Sequence, residues 1–253
     1  MNSEIFDILN GLQLATKQIN IKELPTQGVF YPEDFTLSIK KVSIDDIILY
    51  HVNFVKDDLG IILYETKKII RKCIILGENY KYEDLKSNDL LYIFFEIVKF
   101  TMNREITIPY VDIFGNTEQI SFCSANFNYF NYDSLGCEYN IETREFVKDD
   151  YRFCLPSVGV ETCLINYIEE MDKMGYDTDV SYDFLFFLGN KNHLTYDEID
   201  NLITIFNDEI SDTEKAKISD IIKLVYPAIG YTLKWNNKIV NMDMKIDFGK
   251  LFI

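Results

Sequence analysis

The chain is 253 residues long, 47% hydrophobic and 26% charged, a balance ordinary for globular protein and enough to bury a substantial core in one or two domains. Its formal net charge of -16 argues against a general nucleic-acid binder, because neutralising phosphates takes clustered Lys and Arg. No stretch of about 18 or more uncharged apolar residues occurs, and the acidic opening MNSEIFDILNGL is unlike a signal peptide, so a soluble protein without a recognisable export signal is expected.

Residues 3–18 read as an amphipathic helix, with Ile5, Phe6, Ile8, Leu9 and Leu12 at helical spacing behind Ser3 as candidate cap. In the stretch ELPTQGVFYPEDF that follows, Pro25, Pro32 and Gly28 exclude regular structure. It is a shaped loop feeding a strand over residues 36–42, where apolar and polar residues alternate. Ser43 then caps a helix whose early acids, Asp45 and Asp46, oppose the positive end of the helix dipole.

Two further helices are predicted over residues 61–76 and 85–102. The second is apolar nearly all round through Leu90, Ile93, Phe94, Phe95, Ile97 and Val98, so it is the central helix of the N-terminal half. Strands at 105–108 and 119–122 flank a Gly115-Asn116 turn signal. Residues 126–140 show no period and read as an irregular loop or an edge strand, with short strands following around 140–147 and 151–155.

The break Leu155-Pro156-Ser157-Val158-Gly159 opens a mainly helical half, with helices at 160–174, 182–188, 196–208 and 213–226. Capping boxes are expected at Thr195/Glu198 and Ser211/Glu214. The chain closes on a hairpin through Asn236-Asn237, whose second strand alternates Val240, Met242, Met244, Ile246 and Phe248 with polar residues. The expected fold class is α+β in two lobes, a mixed lobe at 1–150 and a mainly helical lobe at 151–253 that ends in the hairpin.

Chemistry is not what these residues advertise. The two histidines, His51 and His193, have no i, i+4 partner and no Cys-rich neighbourhood, so a His-based metal site or a catalytic triad lacks a sequence anchor. Asp177, Asp179, Ser181 and Asp183 are spaced like calcium ligands, but Tyr182 and Leu188 stand where such a loop needs Gly and Glu. The run reads instead as a solvated loop with Ser181 or Asp183 capping the next helix. No phosphate-cradling glycine motif and no nucleophile elbow occurs. Among 41 acidic residues, carboxylate pairs are expected by chance.

Five cysteines, Cys73, Cys123, Cys137, Cys154 and Cys163, have irregular spacing and no C-x-x-C pair, which fits reduced and mostly buried thiols. The one basic run, Lys67-Lys68 with Arg71-Lys72, reads as the solvated face of a helix. Seventeen Tyr and nineteen Phe supply aromatic surface for core and for interface. No catalytic residue, metal or cofactor is expected.

Leu24-Pro25-Thr26-Gln27-Gly28-Val29-Phe30-Tyr31 resembles the LPS-x-G-x-x-Y opening of the baseplate hub and hub-assembly proteins of T4-type contractile-tailed phages. The likeness continues through Ile70-Arg71-Lys72-Cys73-Ile74 and Asn88-Asp89-Leu90-Leu91-Tyr92-Ile93. It returns at Leu155-Pro156-Ser157-Val158-Gly159 and at the aromatic end, residues 245–252. Many members of that family carry zinc-ribbon-like Cys pairs in turns that here read YVDIFGN and KWNNK, so a zinc role does not transfer to this chain.

The resemblance implies a non-enzymatic hub-region component of a phage tail baseplate. It would act through contacts with other baseplate and tail proteins, in the virion and, during assembly, in the host cytoplasm. A transient assembly chaperone is the alternative, and a cytoplasmic adaptor or a carboxylate-based hydrolase represents other classes. Nucleic acid, membrane and small-molecule substrates are not expected partners. The contact candidates are Leu24, Pro25, Gly28, Phe30, Tyr31, Trp235, Leu251 and Phe252. Read physically, residues 24–31 are first a clasp tying the first helix to the strand, with partner contact as the alternative. The apolar ending at Leu251 and Phe252 calls for docking, within the chain or on a partner.

Overall fold

The computed structural model describes residues 15–54, 59–111, 117–122, 129–130, 135–176, 180–229, 233–235 and 238–240, with side chains described outside 52–54, 59–63, 108–111, 117–122, 226–229, 233–235 and 238–240. The fold is α+β, with helices beside two antiparallel three-stranded sheets and two short hairpins. Strand β1, Thr16–Ile19, pairs with β2, Leu37–Lys40, placing Thr16 opposite Lys40. The other edge of β2 takes β3, Ile74–Leu76, with Leu37 opposite Leu76.

Two expectations are corrected here. Residues 16–18 are strand rather than the end of a helix, and residues 74–76 are strand rather than the last turn of one. The reason is tertiary. Leu37 and Ile39 of β2 are buried, and a buried strand needs paired neighbours on both edges to satisfy its backbone groups. The earlier part of the predicted first helix, residues 3–14, lies outside the described residues.

Helix α1, Ile44–Phe54, starts as predicted: the Asp46 amide donates to the Ser43 hydroxyl at 3.1 Å, and that hydroxyl donates to the Asp46 carboxylate at 2.8 Å. Helix α2 is Leu59–Cys73. Three residues of its basic run pair inside the chain, Lys68 with Glu65, Arg71 with Glu83 at 2.9 Å, and Lys72 with Asp46. Helix α3, Leu90–Met102, begins later than residue 85 because 3-10 turns at Tyr82–Asp84 and Ser87–Asp89 precede it. It buries Leu90, Tyr92, Ile93, Phe94, Phe95, Ile97 and Val98, as a helix apolar nearly all round must. Asn103, in the left-handed conformation at φ 51°, ends it.

Strands β4, Ile106–Val111, and β5, Thr117–Phe122, pair antiparallel with Ile106 opposite Phe122. The three-stranded sheet β6, Glu138–Asn140, β7, Glu145–Lys148, and β8, Tyr151–Phe153, follows. Helix α4, Val158–Lys173, begins two residues before the predicted start because Ser157 caps it, accepting from the Val160 amide at 3.3 Å. A 3-10 helix at Tyr182–Phe187 starts at Ser181, whose hydroxyl accepts from the Asp183 amide.

Helix α5, Tyr196–Thr204, opens on the predicted Thr195/Glu198 box and runs into a π turn at Ile205–Glu209. Helix α6, Asp212–Ile229, opens on Ser211/Glu214, where the hydroxyl donates to the Glu214 carboxylate at 2.7 Å. Strands β9, Leu233–Trp235, and β10, Lys238–Val240, form the start of the predicted hairpin. Its remainder lies outside the described residues. Among the described residues no helix is long and apolar enough to cross a membrane.

Among the described residues, three hydrophobic clusters organise the interior. The first surrounds α3 and includes Leu37, Ile39, Ile70 and, from beyond residue 150, Val158. The second joins Phe30, Phe130, Phe146 and Phe153 to Phe186 and Ile222, so it draws on both expected lobes. The third, with Val160, Leu164, Leu185 and Ile199, belongs to the C-terminal half alone.

Candidate functional site

The loop at residues 24–31 lies between the first two clusters. Phe30 enters the second, with ring centroids 5.2 Å from Phe130 and 5.4 Å from Phe146. Tyr31, next in the chain, enters the first and stacks on Phe35 at 4.3 Å. The chain turns here, with the Tyr31 amide donating to the Gly28 carbonyl at 3.1 Å, and the two neighbouring side chains enter different cores. The backbone is tied down as well. The Phe130 amide donates to the Pro25 carbonyl at 2.7 Å, the Gln27 side-chain amide to the Phe130 carbonyl at 2.8 Å, and the Tyr139 hydroxyl to the Val29 carbonyl at 2.7 Å. Gly28 turns the chain at φ 74°, where a Cβ would come within 3.2 Å of the Ile21 side chain.

Under this loop sits a fully buried carboxylate, Asp89, at the entry of α3. Its Oδ1 accepts from the Thr26 amide at 3.0 Å. Its Oδ2 accepts from the Thr26 hydroxyl at 2.8 Å and the Tyr31 hydroxyl at 2.7 Å. Burial pushes the Asp89 carboxyl up to about 6, with the Tyr31 and Thr26 hydrogen bonds and the Lys86 charge pulling the other way. Burial, and then the Asp89 charge, raise the Tyr31 hydroxyl well above its ordinary value.

The second buried charge is Lys86, 3% exposed. Its amide donates to the Tyr31 hydroxyl at 2.9 Å, linking it to the Asp89 system. Its ammonium donates to the Leu155 carbonyl at 2.9 Å and to Asn190 Oδ1 at 3.2 Å, and lies 3.5 Å from Cys154 Sγ and 5.9 Å from the Phe30 ring centroid. Two backbone contacts run alongside: the Val158 amide donates to the Leu85 carbonyl at 2.8 Å, and Lys86 bridges to Ser157. The loop at Leu24–Tyr31 and the break at Leu155–Gly159, distant in sequence, thus meet across residues 85–89.

Gly159 has a steric reason of its own, since a Cβ there would lie 1.8 Å from the Asn192 carbonyl oxygen. Residues 190–195 cross α4 at that point, held by the Ser157 hydroxyl donating to the Lys191 carbonyl at 2.9 Å.

The contact candidates fall out as follows. Leu24, Pro25, Phe30 and Tyr31 are buried and Gly28 is half-buried, so the loop ties two cores together and those four side chains face the interior. The physical reason is that each side is already filled by a core cluster. Trp235 lies in β9 with its side chain undescribed, and Leu251 and Phe252 lie outside the described residues. The sequence did not single out Lys86, Asp89 or Asn190 as partners in a site, because a polar side chain that will be buried looks in sequence like any other, whereas Cys154 is buried as expected. The one available signal was Asp89 inside the Asn88–Ile93 motif.

Chemically the arrangement fastens chain segments. An acid and a base are held out of water, and their polar contacts are made inside the chain. Among the described residues, no group of three or more His, Cys, Asp or Glu side chains is placed to hold a metal ion. Comparison with family models, with curated proteins and with solved structures finds no match to this chain. Fold and site together define an α+β protein organised around a buried charged joint.

Proposed function

We propose that this chain is a non-enzymatic component of the hub region of a contractile phage baseplate, acting through contacts with other baseplate and tail proteins. The observation that supports this reading is the convergence at residues 85–89. The loop at Leu24–Tyr31, the Asn88–Ile93 stretch and the Leu155–Gly159 break each resemble the hub family, and all three belong to one buried joint.

With the clasp turned inward, partner contacts fall to exposed apolar groups on an acidic surface. Ile44 and Ile48 of α1 are 69% and 57% exposed, and Tyr176 after α4 is 63% exposed. Such side chains serve as anchors within a polar rim. Mass spectrometry of purified virions tests the proposal. Presence at a fixed copy number supports a baseplate subunit, and absence despite co-purification of the expressed chain with tail proteins points to an assembly chaperone. Absence from virions together with no association with any tail protein overturns the reading.

A further inference from the structure

We propose that Cys163 and His193 form a nucleophilic thiol site on α4, reactive toward small-molecule disulfides and therefore a site of mixed-disulfide modification. Cys163 Sγ lies 3.3 Å from His193 Nδ1, although 30 residues separate them. The fold builds this pair in a definite way. Gly159 lets the 190–193 backbone rest directly on α4, and Cys163, one helical turn further on, shares that face.

The segment carrying His193 is pinned on both sides. Asn192 donates to Asp84, the Lys191 carbonyl accepts from Ser157, Leu194 is buried, and Thr195 caps α5. Cys163 is half-buried and His193 exposed, so a small reagent reaches the sulfur. Reactive thiols sit in such places, partly exposed and beside an imidazole.

The other described cysteines are built differently. Cys73 and Cys154 are buried, and burial raises both thiols, Cys73 to about 11. Burial also raises Cys137, whose Sγ lies 3.6 Å from the Leu135 carbonyl oxygen. Among the described cysteines, Cys163 alone faces an imidazole. Tyr196 also stands near the thiol, but its hydroxyl is hydrogen-bonded to Glu170, which leaves His193 as the base.

In the reaction the Cys163 thiol passes its proton to His193 Nδ1, and the thiolate attacks one sulfur of R–S–S–R. The Cys163–S–R bond forms as the S–S bond breaks. The departing R–S⁻ takes the proton from the imidazolium or, where its thiol is strongly acidic, leaves as the free thiolate while the imidazolium gives its proton to water. No reagent besides the disulfide is consumed.

The test treats the full folded chain at pH 7 with dithiobis-nitrobenzoate, follows release of the aromatic thiolate, and maps the labelled cysteine by peptide mass. Cys163 should label first, about tenfold faster than in the urea-unfolded chain. His193→Gln, at an exposed position, should remove that advantage with an unchanged circular dichroism spectrum, and Cys163→Ser should abolish the fast phase. A fast phase that survives Cys163→Ser, or Cys163 labelling at the wild-type rate in His193→Gln, overturns the proposal.

Discussion

Asp89 carries three hydrogen bonds from Thr26 and Tyr31 in a site without water-exposed surface. All three donors suit the ionised form, yet burial raises the carboxyl to about 6 against roughly 4 in an unfolded chain. A group that holds its proton more tightly when folded adds stability fully below the unfolded value and loses it as pH rises through the folded one. For Asp89 that window runs from about 4 to about 6 and spans about 3 kcal/mol. Lowering the pH from 7 to 5 should therefore shift the melting-temperature difference between wild type and Asp89→Asn in favour of the wild type. Thermal melts of the two proteins across that range check this. A difference that stays constant would show that Asp89 titrates at its ordinary value.

Two helix starts respond differently to small substitutions. At Gly159 in the first turn of α4, any side chain meets the Asn192 carbonyl, and the obstacle is backbone rather than a flexible side-chain end. Gly159→Ala should destabilise the protein by about 3 kcal/mol or more, since overpacking that forces backbone to move is among the costlier changes. At the start of α6 the contacts are exposed: Ser211 accepts from the Glu214 amide at 3.3 Å and the Glu214 carboxylate accepts from the Ser211 amide at 3.1 Å. Ser211→Ala should cost only about 1 kcal/mol, the usual value of an N-cap. Urea midpoints for the two variants measure both effects, and similar losses would show that the crossing over α4 yields easily.

At the scale of the whole molecule, the joint ties together segments assigned by pattern to different lobes. Lys86 bonds Leu155 and Asn190, Asp89 bonds Thr26, and the second hydrophobic cluster runs from Phe30 to Val225. Segments that share a core unfold together. Thermal unfolding should therefore be a single transition, with near-UV and far-UV signals coincident. Two separated transitions would mean that the halves around residue 150 melt independently.

Local pattern sufficed wherever an element's own residues decided its state. Ser43 before two acids, Thr195 with Glu198 and Ser211 with Glu214 are short-range devices, and each starts a helix where the pattern placed it. The apolar girth of Leu90 to Val98 likewise announced a buried helix. Tertiary structure decided the rest. Residues 16–18 and 74–76 became strands because β2 required partners, and that requirement is not written in their own periodicity. The pairing of Cys163 with His193, and the meeting of Thr26, Tyr31, Lys86 and Asp89, depend on contacts spanning 30 to 63 residues. A side chain's charge and size are properties of the residue, whereas its burial and its partners are properties of the packed chain.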